Sequence, residues 1–177
     1  PAAFCGVVGL KPTFGRVSEF SSAALCWSVA HNGPVGATAE EVALMYALIA
    51  GPDPNDAHTL HQPPVTLERF DDFDLRDVTI GVFTPWLEHA TPAMVEGCRH
   101  ILRAFQAMGA RVQEIEIPEL EAARVAHVIT IAAAMNAVLA HAYTTHRHDL
   151  GLDVRTNLAL ARAFSAHYYL QSKLVLT

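Results

Sequence analysis

Apolar positions along this chain repeat with several different periods, and each change of period marks an element. Thr38-Ala39-Glu40-Glu41 opens the clearest helix as a capping box, in which the Thr oxygen accepts from the amide three residues on and Glu41 reaches back to the cap amide. Val42, Met45, Tyr46 and Ile49 follow at the i, i+3, i+4, i+7 spacing of an apolar stripe, which predicts a helix over about 39–50. Gly51-Pro52 ends it. Further on, Val78-Thr79-Ile80-Gly81-Val82-Phe83 has the composition of a strand. Thr91-Pro92 places a cap before a proline at the first helical position, and Met94, Cys98, Ile101, Leu102, Phe105 and Met108 recur at helical spacing until Gly109. Residues 111–117 then alternate as a strand with one wet face, and Pro118 stops them. Strand, helix, strand in that order predicts a βαβ crossover with parallel pairing, hence an α/β fold.

The two ends of the chain read less regularly. Cys5-Gly6-Val7-Val8-Gly9-Leu10 is a short apolar run that suits a buried strand with both faces covered. Residues 14–34 mix Gly, Ser and Pro with aromatic groups, as an ordered loop does, and residues 51–77 form a polar, Pro-rich connection. Residues 119–143 are Ala-rich and apolar over more than half of the helical surface, which predicts a deeply packed helix. A break at 146–153 contains Gly151, and a last helix is expected from about Arg155 to the final residue, with Leu158, Phe164 and Tyr168 buried.

Composition narrows the function classes. Of 177 residues, 51% are hydrophobic and only 17% charged, against about 25% in an ordinary domain, so the surface carries little charge. With 12 Lys+Arg against 18 Asp+Glu, the net charge of -6 argues against a nucleic-acid partner. Lys11 and Lys173 are the only lysines, no polybasic run would hold a membrane, and the apolar stretch 128–140 is broken by Thr130 and Asn136 well short of the roughly 20 residues a span needs. No signal-peptide pattern opens the chain. The odd set of Cys5, Cys26 and Cys98, without a C-x-x-C, reads as reduced, mostly buried thiols in the cytoplasm. A thin charge coat, a start at Pro1 without Met and a stop at Leu174-Val175-Leu176-Thr177 lead to the expectation of a piece of something larger.

Candidate chemistry is sparse. His141, His146 and His148 are the densest set of possible ligands, but 141 and 146 miss the i, i+4 spacing of one helix face by one residue, and Arg147 separates the other two. His58 and His61 sit in the Pro-rich connection, so no metal and no cofactor is expected. Glu114 and Glu116 share the wet side of an alternating strand and read as solvated charges, as does the run Asp71, Asp72 and Asp74. Ser21, Ser22 or Ser28 with His31 lacks a G-x-S-x-G elbow, and Lys11, the only local Lys for Ser–Lys chemistry, lies at a strand end. Read from its residues alone, the chain is an α/β core without a visible active site.

The opening Pro1-Ala2-Ala3-Phe4-Cys5-Gly6-Val7-Val8-Gly9-Leu10-Lys11-Pro12-Thr13-Phe14-Gly15-Arg16-Val17-Ser18 resembles the trailing part of the amidase signature, and the likeness continues through Asn32-Gly33-Pro34-Val35 and Gly51-Pro52-Asp53-Pro54 to Ala163-Phe164-Ser165-Ala166. The resemblance implies a segment of the amidase-signature fold: a mixed sheet core covered by helices, with one βαβ unit. It also implies acyl transfer by a Ser nucleophile in a Gly-Gly-Ser-Ile-Arg segment, a second Ser on a cis peptide bond and a Lys. That Lys, through the cis-Ser, takes the proton as the nucleophile attacks an amide carbonyl, and water later releases the acid. All three groups would precede Pro1, so no catalytic residue is assigned here. Residues 1–177 are then expected to be a partial amidase domain, truncated at both ends and inactive alone.

The same resemblance places Ile131 and Met135 where the family builds part of its substrate pocket, although core packing is the competing role for each. Its implied partner is a small-molecule amide, with no nucleic acid and no membrane, and the oligomeric state is open. Cys26-Trp27-Ser28-Val29-Ala30-His31 looks more like general amidases than the glutamyl-tRNA amidotransferase A subunit, which is the alternative along with a non-catalytic interaction module. Part of the surface is expected to be an interior contact with missing chain, leaving apolar area uncovered on residues 5–10 and on the helix from Leu120.

Overall fold

The computed structural model describes residues 1–23, 25–68, 70 and 74–176. In chain order these form α1 (Ala2–Cys5), β1 (Val8–Gly9), β2 (Val35–Gly36), α2 (Ala39–Ile49), β3 (Thr79–Val82), α3 (Thr84–Leu87), α4 (Pro92–Ala107), β4 (Arg111–Glu114), α5 (Leu120–Val138), α6 (Ala140–Thr145), α7 (Leu152–Ala161) and α8 (Ala166–Val175), with one 3₁₀ turn at Ala57–Thr59. The class is α/β, with helices over small sheets. Two compact units divide it: Pro1–Glu68 with Glu121–Thr177, and Arg69–Leu120.

In the first unit, β1 and β2 pair antiparallel, Val8 opposite Gly36 and Gly9 opposite Val35, and α2 packs on both strands. The run at residues 5–10 is not the buried strand its composition suggests. Residues up to Cys5 are helical, Gly6 closes that turn at φ 65°, and the ladder ends where Pro34 accepts from the Leu10 amide but has no N–H to return. A two-stranded ribbon leaves a face open, so Val7, Val8 and Leu10 are each 38% exposed, and Cys5 is exposed rather than buried.

Helix α2 starts at the predicted cap: Thr38 Oγ1 accepts from the Glu41 amide at 3.2 Å. The return bond goes one residue further back than expected, from the Ala37 amide to Glu41 Oε2 at 2.8 Å. Of the predicted stripe, Val42 is buried and Tyr46 half-buried, while Met45 and Ile49 face outward.

The second unit is the predicted βαβ. Strands β3 and β4 run parallel, Thr79 opposite Arg111 through Val82 opposite Glu114, and the Ile115 amide extends the ladder to the Val82 carbonyl at 2.9 Å. The short α3, with Pro85 in its first turn, has no counterpart in the sequence pattern. Thr91 occupies the cap position of α4, but its hydroxyl makes no capping bond. Gly109 ends that helix at φ 103°, where a Cβ would also press on the Arg76 side chain. Val95, Cys98 and Leu102 are half-buried, whereas Met94, Ile101, Phe105 and Met108 stay exposed. The reason is width: two strands about 5 Å apart cannot cover the apolar stripe of a helix about 10 Å across.

The C-terminal helices of the first unit are shorter than their composition predicts. The helix expected over 119–143 breaks at Leu139 (φ −91°, ψ 8°) into α5 and α6. The one expected from Arg155 divides into α7 and α8, because Ser165 caps α8 by accepting from the Tyr168 amide at 3.5 Å; its expected last residue, Thr177, lies outside the described residues. Leu158 is buried and Phe164 half-buried, but Tyr168 is exposed, with Tyr169 turned inward instead. The core here is narrow: Ala126 and Thr130 of α5, Tyr143 of α6, Leu158 and Ala161 of α7, Ser172 of α8, and Cys26 from the N-terminal loop. Helix α5 is not deeply packed throughout, since Val125 and Val128 are about 60% exposed. Apolar area is therefore open both beside β1 and on α5.

Candidate functional site

Three places in the first unit concentrate functional side chains or cavities. The first is a polar network between the loop after β1 and the turn after α2. Ser18 Oγ donates to Asp53 Oδ2 at 2.7 Å, the Glu19 amide donates to Asp56 Oδ2 at 2.9 Å, and Asn32 Nδ2 donates to the Ser18 carbonyl at 2.9 Å and to Ser22 Oγ at 2.8 Å. Fully buried Thr59 accepts from the Asp53 amide at 2.7 Å. Arg16 joins α2 to this network, Nε donating to Tyr46 Oη at 2.9 Å and Nη1 to the Pro63 carbonyl at 2.7 Å.

Gly15 (φ 75°) lets the chain pass against the His58 carbonyl, where a Cβ would collide with it. Phe14 meets the edges of His31 and His58 at ring separations of 5.6 and 4.9 Å. Burial raises the pKa of Glu19 above the ordinary carboxyl value, opposed by His31, reinforced by Asp56 and opposed again by His58. The Asn55 amide and the Ser18 hydroxyl lower that of Asp53.

The second is a cleft of about 350 Å³ at the start of the chain. Pro1, Ala2 and Ala3 line it together with Leu10, Lys11, His31, Pro34 and Val35. The Lys11 ammonium is turned to the Pro12 carbonyl at 3.1 Å. The third is a more apolar cavity of about 420 Å³. Ala133, Ala134, Asn136 and Ala137 of α5 form one wall, Ala161, Phe164, Ser165, Ala166 and Tyr169 the other, and Trp27 closes one side.

The residues singled out by sequence fall mostly outside these places. Ile131 and Met135 are half-buried on α5, and the residues of that helix lining the apolar cavity are their neighbours, not these two. His141, His146 and His148 are all exposed, and His146 Nδ1 lies 3.5 Å from Asp149 Oδ2. His58 belongs to the polar network, and His61 does not bond within it. Glu114 and Glu116 are exposed, as expected. Asp71 and Asp72 lie outside the described residues, while Asp74 pairs with Arg76, which lowers its pKa.

Among the described residues no serine hydroxyl bonds an imidazole. Ser22 accepts from Asn32, Ser28 lies 3.6 Å from Cys26 Sγ, and His31 Nδ1 faces the Val29 carbonyl at 2.8 Å. Sequence pattern does not reveal Trp27, Phe164, Tyr169 and Asn136 as one site, because more than a hundred positions separate the first from the others and no local spacing links them.

A family model described as Amidase matches residues 1–171. This chain belongs to the amidase family. Among amidase relatives, it is 32% identical over 180 residues to a fatty acid amide hydrolase of Oryza sativa subsp. indica, a match covering 98% of this chain and 30% of that protein. It is 37% identical over 140 residues to the glutamyl-tRNA(Gln) amidotransferase A subunit of Thermus thermophilus, covering 79% of this chain and 30% of that protein. The native peptide amidase of Stenotrophomonas maltophilia superposes with a TM-score of 0.74 at 26% identity, over 95% of this chain and 39% of its own. The chain thus spans about 30% of the length of the curated relatives it matches. Among the described residues no helix is long and apolar enough to cross a membrane.

Proposed function

We propose that this chain is the segment following the nucleophile in a cytoplasmic amide hydrolase that uses a Ser–cis-Ser–Lys acyl-transfer mechanism. The nucleophile, the cis-Ser and the Lys would all precede Pro1, making residues 1–177 a partial amidase domain without hydrolytic activity of its own. The observation that carries this reading is the amidase match over residues 1–171, to which the fatty acid amide hydrolase adds a sequence match over 98% of the chain. The cleft at Pro1, Ala2 and Ala3 is compatible with it, since a Gly-Gly-Ser-Ile-Arg segment leading into Pro1 would join the chain at the edge of that space. Backbone amides near the nucleophile would hold the oxyanion, each contributing about 10²–10³ in rate. Ile131 and Met135, half-buried on α5, would carry the wall of the substrate pocket toward the preceding segment.

Two measurements test the proposal. The coding sequence just before Pro1 should encode Gly-Gly-Ser-Ile-Arg; a start codon there would make the chain a non-catalytic module instead. A serine-directed fluorophosphonate should leave the 177-residue chain unlabelled and label the longer product, and labelling of the chain itself would contradict the assignment.

A further inference from the structure

The arginines of this chain divide into two groups. Among the described residues, Arg76, Arg99, Arg103 and Arg124 pair with carboxylates, Arg16 donates to Tyr46 and Pro63, and Arg111 donates to Thr79. The guanidiniums of Arg147, Arg155 and Arg162 have no carboxylate, hydroxyl or carbonyl partner among those residues, in a protein whose net charge is -6. All three come from one stretch. Residues 139–177 hold these arginines and Lys173 against Asp149 and Asp153 alone, so this stretch is positive where the whole chain is negative. Two of the three are also gathered at one ring: the Arg162 Cζ lies 4.2 Å from the Tyr143 ring centroid and the Arg147 Cζ 5.0 Å from it. The guanidiniums are therefore no farther apart than those two distances together, and the π face of the ring offsets only part of their repulsion. Asp149 does not offset the rest, since its Oδ2 is turned to His146 Nδ1 at 3.5 Å. Arg155 stands two turns before Arg162, on the face of α7 that carries buried Leu158, and its Nε is out of solvent without an acceptor.

We propose that Arg147 and Arg162 form, with the Tyr143 hydroxyl, a binding site for a phosphate group in its dianionic form. A guanidinium that meets a ring through its face keeps its in-plane N–H groups for other acceptors, and its fork matches two oxygens of one phosphate. Two such forks balance the two charges of a phosphate dianion, whereas a carboxylate brings one charge and fills one fork. The Tyr143 ring is buried, but its hydroxyl bonds no described residue and is not sealed from solvent, so it remains free to donate. Arg155 adds a third positive charge along the same helix face without having to touch the ligand. The site is built from α6, α7 and the turn between them, and it shares no residue with the cleft at Pro1. It stands separately from the amide-hydrolase reading above.

Titrating the isotope-labelled 177-residue chain with sodium phosphate at constant ionic strength tests this through the arginine Nε–H signals. Those of Arg147 and Arg162, assigned by their loss in Arg147→Gln and Arg162→Gln, should shift saturably. The signal of Arg124, which is paired with Glu121, should stay unmoved. Acetate and dimethyl phosphate, each singly charged, should bind about tenfold more weakly than inorganic phosphate. Arg147→Gln and Arg162→Gln replace exposed residues and should each weaken phosphate about tenfold. Tyr143→Phe keeps the ring and should weaken it about two- to fivefold. The acetate comparison needs no variant and decides the matter if the variants do not fold. Glycerol phosphate binding as tightly as inorganic phosphate assigns the site to phosphomonoesters, and weaker binding assigns it to the free ion. Equal affinity for phosphate and acetate, a shift of Arg124 matching that of Arg147, or unchanged affinity in folded Arg147→Gln would overturn the proposal. So would loss of phosphate binding in a longer product that includes the chain before Pro1, because the arginines would then serve a contact with that chain. A longer product that binds phosphate and cleaves no amide overturns the hydrolase reading alone.

Discussion

Thr130 on α5 and Ser172 on α8 share a 2.9 Å hydrogen bond, both side chains out of solvent and 42 residues apart in sequence. Ser172 Oγ also donates to the Tyr169 carbonyl at 2.7 Å, so Thr130 is the donor across the helix pair. Around it the core is made of small and medium side chains, and this polar pair fixes the register in which α5 meets α8.

Removing either hydroxyl leaves its partner short of a bond in a dry site. Thr130→Val and Ser172→Ala should each destabilise by about 1–2 kcal/mol. The double variant should lose less than the sum of the two, by about 1 kcal/mol. Urea unfolding of all four chains measures this, and strict additivity would mean the two hydroxyls act independently.

Gly15→Ala adds a methyl group where the His58 carbonyl already sits and demands φ 75° of a residue with a Cβ. The expected cost is about 1–3 kcal/mol, because both the backbone conformation and the space oppose it. A midpoint within experimental error of the parent's would show that the loop can move away from residue 58.

The pH dependence of stability should differ in sign between two carboxylates of one network. Glu19 has a raised pKa, from burial first, so the folded chain holds its proton more tightly than the unfolded one. The stability this gives is full below the ordinary carboxyl pKa of about 4 and is lost as pH rises through the folded value. Asp53 has a lowered pKa, from the Asn55 amide first and Ser18 next. Its contribution is full above a pH of about 4 and is lost as pH falls through the folded value. Near neutral pH, Glu19→Gln should therefore melt above the parent and Asp53→Asn below it, with both gaps closing as acid is added. Thermal melts across that range check the two signs separately.

Phe4 is 99% exposed beside a ribbon whose Val35 is 57% exposed, and Leu48 and Leu174 are 81% and 77% exposed. Large apolar side chains this exposed favour association in water. The isolated chain should bind a hydrophobic dye and associate as its concentration rises, as read by sedimentation velocity. Phe4→Glu should reduce the association, and a concentration-independent monomer would show that this area is compatible with a free surface.

Local signals are readable wherever neighbours in sequence decide the outcome. The Thr38 cap, the βαβ order of β3, α4 and β4, and the turn at Gly109 depend on side chains and backbone within a few residues, and each is legible. The amidase resemblance is legible too, because it rests on a contiguous stretch at the start of the chain. Helix lengths are not: residues 119–143 and those after 155 carry an unbroken helical composition. The breaks at Leu139 and at Arg162–Ser165 appear only once α5 through α8 pack as short pieces.

Burial and site geometry belong to the tertiary structure for the same reason. Composition marks residues 5–10 as apolar, but the solvent exposure of Val7 and Val8 depends on how many strands lie beside them, and among the described residues β1 pairs with β2 alone. Hydrophobic periodicity names a face of α4 without saying what width of sheet will cover it. The apolar cavity needs Trp27, Asn136, Phe164 and Tyr169 at one place, and the polar network needs Ser18 beside Asp53 and Glu19 beside Asp56. Sequence by itself determined the family, the α/β class and the local caps, since these follow from short-range chemistry. Folding alone decided which apolar groups found cover and which distant side chains met, because those depend on long-range packing that no local spacing encodes.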